Sequence, residues 1–318
     1  MQEGPTTTGP ENKMKPIILA KVIEDSIASN GVRLTTVEVR FPRIVAAELL
    51  RHRKFSQNSG SSRAIPIRRM LRQVWSRPAC PAEWGTNQPG MQAGAELQGW
   101  RLWAAKTTWR SAARFAALHS WVLMKLGAHK QIANRVTEPY QYISVLISST
   151  DWGNFDELRC HPDADPTMQI LAIEIMTAIE VSVPRRLRIA EWHLPYVIQS
   201  EREALPIEEQ IKLSVARCAR ISYDPFDGDA SHAKEFERYA KLVGARPIHA
   251  SPTEHQATPA FSSTQKGGNF DGWLQHRQDV EKARAMDGEV PAVLRRQWTN
   301  DEVRLHRALV AQRGEVEA

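Results

Sequence analysis

Arg51, His52 and Arg53 stand together, Ser61 follows after seven residues, and Arg63 lies two positions further on. Each arginine presents a planar fork of N–H donors that meets a phosphate through two hydrogen bonds at once. Between them, Ser56, Gln57, Asn58, Ser59 and Ser62 add neutral donors and acceptors. Three arginines within these thirteen residues suit a polyanionic, hydrogen-bond-rich ligand, and a nucleotide answers that description better than a protein does. The competing reading is a solvated helix end. Ile44-Val45-Ala46-Ala47 and Leu49-Leu50 precede the triplet, and cations suit the negative pole of a helix C-terminus.

Four further blocks carry candidate polar groups. Ala133-Asn134-Arg135-Val136-Thr137-Glu138-Pro139 and Asp151-Trp152-Gly153-Asn154-Phe155-Asp156-Glu157-Leu158-Arg159 lie downstream of the triplet. Later still come Ala216-Arg217-Cys218-Ala219-Arg220-Ile221-Ser222-Tyr223 and His249-Ala250-Ser251-Pro252-Thr253-Glu254-His255.

The first segment resembles the RHR-x7-S motif of the flavin-dependent thymidylate synthases (ThyX), with the trailing Arg63 also in place. The Arg135 to Pro139 stretch resembles that family's Arg-x-x-x-Pro segment, and Asn154 to Arg159 its Asn-Phe-x-x-x-Arg helix. The last two blocks resemble ones that ordinarily precede the RHR motif, but here they follow it. A circular permutation accounts for this order, with the chain entering at the strand that ordinarily follows the Ser-Pro-x-Glu-His block. Surface loops and neighbouring termini make such a rearrangement tolerable.

The resemblance implies an α+β fold with a central antiparallel sheet flanked by long helices, permuted in chain order, in a homotetramer with shared active sites. It implies that FAD and NADPH supply the reducing power and that methylenetetrahydrofolate, a folate, supplies a one-carbon unit to C5 of dUMP. Arg51, His52, Arg53, Asn154, His249, Ser251 and Glu254 would hold the flavin. Arg63 and Arg135 would grip the nucleotide phosphate, Arg159 the uracil ring, and Ser61 would lie beside the pyrimidine. An arginine beside uracil stabilises negative charge developing on the ring. Ser61 has no visible activating base, which makes it an orienting group rather than a nucleophile.

Departures from the family pattern surround the substrate. Glu48 stands where glutamine is common, Ser59 where glutamate is common, Ser62 where a smaller residue is usual, and Ser148 and Thr150 replace polar or basic flavin contacts. A carboxylate in place of an amide loses a donor and adds charge, so the nucleotide edge read by Glu48, Ser61 and Ser62 is open. The alternatives are a hydroxymethylase or methylase of another pyrimidine nucleotide such as UMP, and a non-catalytic nucleotide- or nucleic-acid-binding relative.

The positioning elements follow from pattern. Arg33 to Phe41 alternates as a half-buried strand, and Pro42 stops it before the short helix that carries the triplet. Gln92 to Lys125 reads as a long amphipathic helix ending near Gly127, with Trp100, Trp103, Ala104 and Thr107 on one face. Phe115, Leu118, Val122 and Leu126 continue the stripe, as core or subunit interface. Asp165-Pro166 opens a helix with Met168, Leu171, Ile175, Ala178 and Ile179 as its buried stripe, running to about Val183. Further helices are expected over Ile207 to Arg220, Ala230 to Leu242 and Asp301 to Gln312. The expected organisation is a disordered tail over 1–15, a catalytic domain over 16–278 and a charged helical extension over 279–318.

With 42% hydrophobic and 25% charged residues, the 318-residue chain has the makings of an intracellular enzyme with a real core. No membrane association is expected. Cys80, Cys160 and Cys218 lack Cys-x-x-Cys spacing, so neither a disulfide framework nor a metal site is expected, and the cytoplasm is the default location. The net charge of +6 is spread over 42 basic and 36 acidic residues rather than clustered. It therefore suits anionic small ligands as well as a nucleic-acid backbone, and no nucleic-acid partner is expected.

Overall fold

A computed structural model of the chain describes residues 14–221, 230–244 and 248–286. The chain divides into one unit ending at Arg277 and a second beginning at Gln278. Most of the expected N-terminal tail, the Ser222 to Pro225 turn and the Asp301 to Gln312 helix lie outside the described residues.

In chain order the strands are β1 (Leu19–Ala28), β2 (Arg33–Pro42), β3 (Ser56–Ser59), β4 (Tyr142–Ser149), β5 (Arg185–Leu187), β6 (Ala257–Pro259), β7 (Lys266–Gly267), β8 (Phe270–Asp271) and β9 (Trp273–Gln275). The helices are α1 (Ala46–Leu49), α2 (Ile67–Ser76), α3 (Gly99–Lys125), α4 (Lys130–Ala133), α5 (Gly153–Arg159), α6 (Pro166–Glu180), α7 (Gln199–Ala204), α8 (Ile207–Ala219), α9 (His232–Val243) and α10 (His276–Met286). The fold is thus α+β. Its main sheet runs β3-β4-β2-β1-β5. Pairing is antiparallel through β3, β4, β2 and β1, but β5 adds to β1 in parallel, so the sheet is mixed at one edge rather than purely antiparallel.

Period-two alternation along β2 gives the sheet its two faces. Val37, Val39 and Phe41 point one way and are at most 1% exposed, while Glu38 and Arg40 point the other. β4 repeats the pattern with Ile143, Val145 and Ile147, and α6 lays Met168, Leu171, Ala172 and Ile175 on these side chains. The expected start of α6 is borne out. Asp165 Oδ1 accepts hydrogen bonds from the backbone N–H of Thr167 (2.8 Å) and Met168 (3.1 Å), with Pro166 in the first turn. The helix stops at Glu180, three residues short of expectation, because Pro184 biases the residue before it away from helical geometry. Truncating Leu171, which is fully buried, to alanine should cost ~2–5 kcal/mol of unfolding free energy. Urea denaturation would register this as a lower midpoint with unchanged slope.

Two elements differ from the sequence reading. α1 ends at Leu49, so the Arg51-His52-Arg53 triplet occupies the turn beyond the helix, where His52 N–H donates to the Leu49 carbonyl (3.3 Å). α3 forms as expected, although it starts at Gly99, but its aromatic stripe is not core. Trp100, Trp103, Phe115, Leu118, Val122 and Leu126 are exposed, from 41% for Val122 to 77% for Leu126, while Ala113, Ala117 and Ser120 make the buried contacts. Small residues let α3 approach Met70 and Val74 of α2. Periodicity locates an apolar face but does not say which neighbour covers it.

The opposite face of the sheet is closed by the segment 192–197, α8 and the hairpins of β6 to β9. Trp273 and Phe270 are fully buried against Leu34 and Leu187 there. Gly267 approaches the Trp273 carbonyl so closely that an added Cβ would lie 2.1 Å from it, which only glycine permits.

Candidate active site

The turn after α1 delivers His52 against Phe55 (ring centroids 5.4 Å) and Phe155 (5.0 Å). α5 brings Arg159 to the same place. Its Nε donates to His52 Nε2 (3.2 Å) and its Nη1 donates to Glu48 Oε2 (2.7 Å). Burial and then the Arg159 charge lower the His52 pKa. The imidazole is therefore neutral at pH 7, and its Nε2 accepts. Arg51, His52, Arg53, Asn154 and Arg159 line one cleft of about 360 Å³. The guanidinium groups of Arg51 and Arg53 and the Asn154 amide are exposed at its rim. Such a cleft offers cations and an amide above an aromatic floor, a donor set that fits a phosphorylated cofactor with a flat ring.

β3 leads from this cleft to a second cluster. Beyond it, Gly60 N–H donates to the Ser144 carbonyl (2.8 Å), and Arg63 N–H donates to Ser61 Oγ (3.3 Å). The buried Asn134 amide donates to the carbonyls of Ser62 (2.8 Å) and Ile65 (2.9 Å), and Ser62 Oγ donates to Glu138 (3.2 Å). Asn134 thereby sews the Ser61 to Ile65 turn to the segment that carries Arg135. Arg63 and Arg135 both remain exposed, and Arg135 Nε turns back to the Gln131 carbonyl (3.2 Å).

The late block meets the early one at β3. Ser251 Oγ donates to Asn58 Oδ1 (3.2 Å), and the Asn58 amide donates to the Cys218 carbonyl (2.8 Å). Glu254 is ion-paired with Arg277, and its carbonyl accepts from Gln275 Nε2 (2.9 Å). His249 is exposed. None of the three lines the cleft of the Arg51 triplet, so one chain does not gather all the expected cofactor residues into a single pocket.

Ser148, expected at the flavin, is instead fully buried inside a chain of side chains. Ser26 Oγ meets His193 Nδ1 (2.9 Å), His193 Nε2 meets Thr36 Oγ1 (2.8 Å), Thr36 Oγ1 meets Ser148 Oγ (2.6 Å), and Ser148 Oγ meets His255 Nδ1 (2.8 Å). This chain pins the end of the His249 to His255 block to the middle of the sheet.

The sequence reading also missed a larger cleft of about 680 Å³ on the face opposite α6, lined by Glu38, Arg40, Tyr196 and Arg217 among others. The available signals were the alternation of Glu38 and Arg40 along β2 and the i, i+3 spacing of Arg217 and Arg220 on α8. Among the described residues, no group of His, Cys, Asp and Glu has the arrangement of a metal site, and no helix is long and apolar enough to cross a membrane.

The fold and the cleft define a mixed α+β protein with an arginine-lined cleft. No protein-family profile matches the chain, and no curated protein matches it by sequence. Among solved structures, similar ones include the UMP/dUMP methylase PolB from Streptomyces cacaoi bound with 5-Br UMP. Identity is 17% and the TM-score 0.44, covering 52% of this chain and 91% of that one. The same enzyme bound with 5-Br dUMP gives 16% and 0.43. The flavin-dependent thymidylate synthase ThyX from Helicobacter pylori, complexed with FAD and dUMP, gives 17% and 0.32, covering 46% of this chain and 67% of that one.

Proposed function

We propose that this protein is a flavin-dependent enzyme of the thymidylate synthase type, which transfers a one-carbon unit from methylenetetrahydrofolate to C5 of dUMP. The observation that carries this reading is that Arg159, more than a hundred residues further along the chain, enters the cleft of the Arg51 triplet and is held there by His52 and by Glu48 beside it. The motif residues fit FAD there. Arg51 and Arg53 would meet its phosphates, Asn154 would hydrogen-bond it, and neutral His52 would orient the Arg159 fork. When bound there, reduced flavin, regenerated by NADPH, would supply hydride chemistry. The protein supplies alignment. Arg63 and Arg135 would hold the nucleotide phosphate, with Ser61 beside the ring, while His249, Ser251 and Glu254 would reach the flavin from another subunit of a homotetramer. The exposed aromatic face of α3 supports such an assembly.

One observation favours a second reading. Glu48 binds Arg159 at 2.7 Å, so a carboxylate rather than an amide faces the place where the pyrimidine edge would lie. A different pyrimidine nucleotide, such as UMP, or a hydroxymethyl product is consistent with this change.

Tritium release from C5-labelled dUMP and UMP, supplied with methylenetetrahydrofolate, FAD and NADPH, tests both, with mass analysis of the product. Release from neither nucleotide sinks the proposal. Arg135→Ala should weaken nucleotide binding about tenfold or more, the loss of a charge-assisted hydrogen bond, and leave flavin binding nearly unchanged. Equal loss of both would count against its role.

A further inference from the structure

We infer that the cleft on the sheet face opposite α6 binds a second polyanion, a small molecule carrying a phosphoryl group. This goes beyond the proposed reaction and does not depend on flavin. The cleft has a volume of about 680 Å³, within the range of small-molecule sites. Five arginines line it, Arg40, Arg43, Arg69, Arg217 and Arg220, against the carboxylates of Glu38 and Glu201, leaving a surplus of cations in a concave site that concentrates their field.

Four of these arginines divide into wall and ligands. Arg217 grips both oxygens of Glu201 at 2.6 Å, and Arg220 meets the fully buried Glu235 at 2.8 Å. These two are committed to the fold, and they shape the pocket. Arg40 lies over the Tyr142 ring (5.6 Å), with no carboxylate partner among the described residues, and Arg43 has only a 3.4 Å contact with Glu138. Their forks are open to a phosphoryl oxygen.

Two further observations mark a built site. Tyr196 adopts a left-handed backbone (φ 64), a conformation that costs about 1 kcal/mol or more outside glycine. The Arg217 guanidinium holds it there by donating to the Tyr196 carbonyl (2.7 Å), and the phenol is thereby placed to donate to Glu38 Oε2 (2.7 Å). Gln141, also in the lining, is 1% exposed. Its amide nitrogen donates to Asn134 and Thr137, while Oε1 is buried without a partner. Buried acceptors without partners are costly in a closed fold, so this one marks a polar wall to the cleft rather than a ligand contact. Ile65, Met70 and Ile198 give the cleft an apolar share, so the ligand carries an uncharged body beside its phosphoryl group. Gly60 and Ser62 sit at its edge, next to the turn of Ser61 and Arg63.

The test is calorimetric titration of the full chain with pyrophosphate, in an Arg51→Ser/Arg53→Ser/Arg63→Ser/Arg135→Ser background so that neither the triplet nor the arginines proposed for the nucleotide phosphate compete. One molecule should bind per chain. Adding Arg40→Ser/Arg43→Ser should weaken it at least tenfold, and Arg40→Ser alone, a change to an exposed side chain, at least threefold. Arg101→Ser/Lys125→Ser, which removes equal charge from α3, should change affinity less than twofold. Absence of binding in the first background, or equal losses from the α3 pair, would overturn the site. Citrate binding as tightly as pyrophosphate would overturn the phosphoryl assignment.

Discussion

Arg159→Ala is expected to lower tritium release from the nucleotide by about 10²–10³-fold, the scale on which losing one preorganised donor to a developing anion slows an enzyme. The guanidinium is held at two points, by Glu48 at 2.7 Å and by His52 at 3.2 Å, and it is 20% exposed. Orientation is therefore in place before the ligand arrives. Removing it strands the Glu48 carboxylate, whose side chain is 34% exposed, so part of any change in stability would come from that orphaned charge rather than from a missing contact. The double variant Glu48→Gln/Arg159→Ala separates the two effects. It should recover the thermal midpoint of the native protein while remaining as slow as Arg159→Ala. A double variant that regained turnover would reduce Arg159 to a structural partner of Glu48.

Acid should unfold this protein earlier than its carboxylates alone would dictate. His193 and His255 are fully buried, and burial pushes both below the ordinary histidine value of 6.5, His255 to about 3 and His193 well below its usual range, with Arg185 and Arg202 adding to the effect on His193. The folded chain keeps both rings neutral where the unfolded chain protonates them. Their contribution to stability is therefore complete well above pH 6.5 and declines as pH falls below it, by up to about 1.4 kcal/mol per pH unit for each ring that stays neutral in the fold, a decline that ends near pH 3 for His255. The Glu201 carboxylate, held down to about 2 by Arg217, loses its contribution only in the lower window between 4.5 and 2. Urea unfolding at pH 7, 6, 5 and 4 should show a slope that rises from well under one proton at pH 7 to near two below pH 6, and His255→Gln should remove about half of it. A flat profile between pH 7 and 5 would mean that these rings are hydrated or charged in the folded state.

Much of the scaffold was legible because it depends on local pattern. The alternation of Val37, Val39 and Phe41, and the capped stripe from Asp165 to Ile179, each declare their buried side. What escaped the sequence is non-local. The Glu48–Arg159 pair closes across 111 residues, and the Ser26 to His255 chain joins side chains from β1, β2 and β4 with residues of two loops. Nothing in the local order of residues announces either. The helix α3 shows the limit from the other side, since its period marks an apolar face, expected as core or subunit interface, and does not say which of the two covers it. The Asn30-Gly31 pair that turns β1 into β2, with Gly31 at φ 88, is a hairpin signal present in the residues but passed over. Among the candidate site residues, those adjacent in sequence, Arg51 to Arg53 and Ser61 to Arg63, fall into two clusters at opposite ends of β3.

The two borders of the main sheet also decide how the protein behaves in a crowded solution. One border strand has only four residues, with Ser251 and the Cys218 carbonyl tied to its Asn58. The other has three, bearing the exposed Arg185 and Arg186, and Arg185 shares Glu24 with Arg202. Neither leaves a long, uncharged row of backbone donors on which a foreign strand might template itself. Growth into fibrils is thus blocked at both margins, and the molecule can carry a broad apolar helix on its surface without recruiting its own sheet into aggregates.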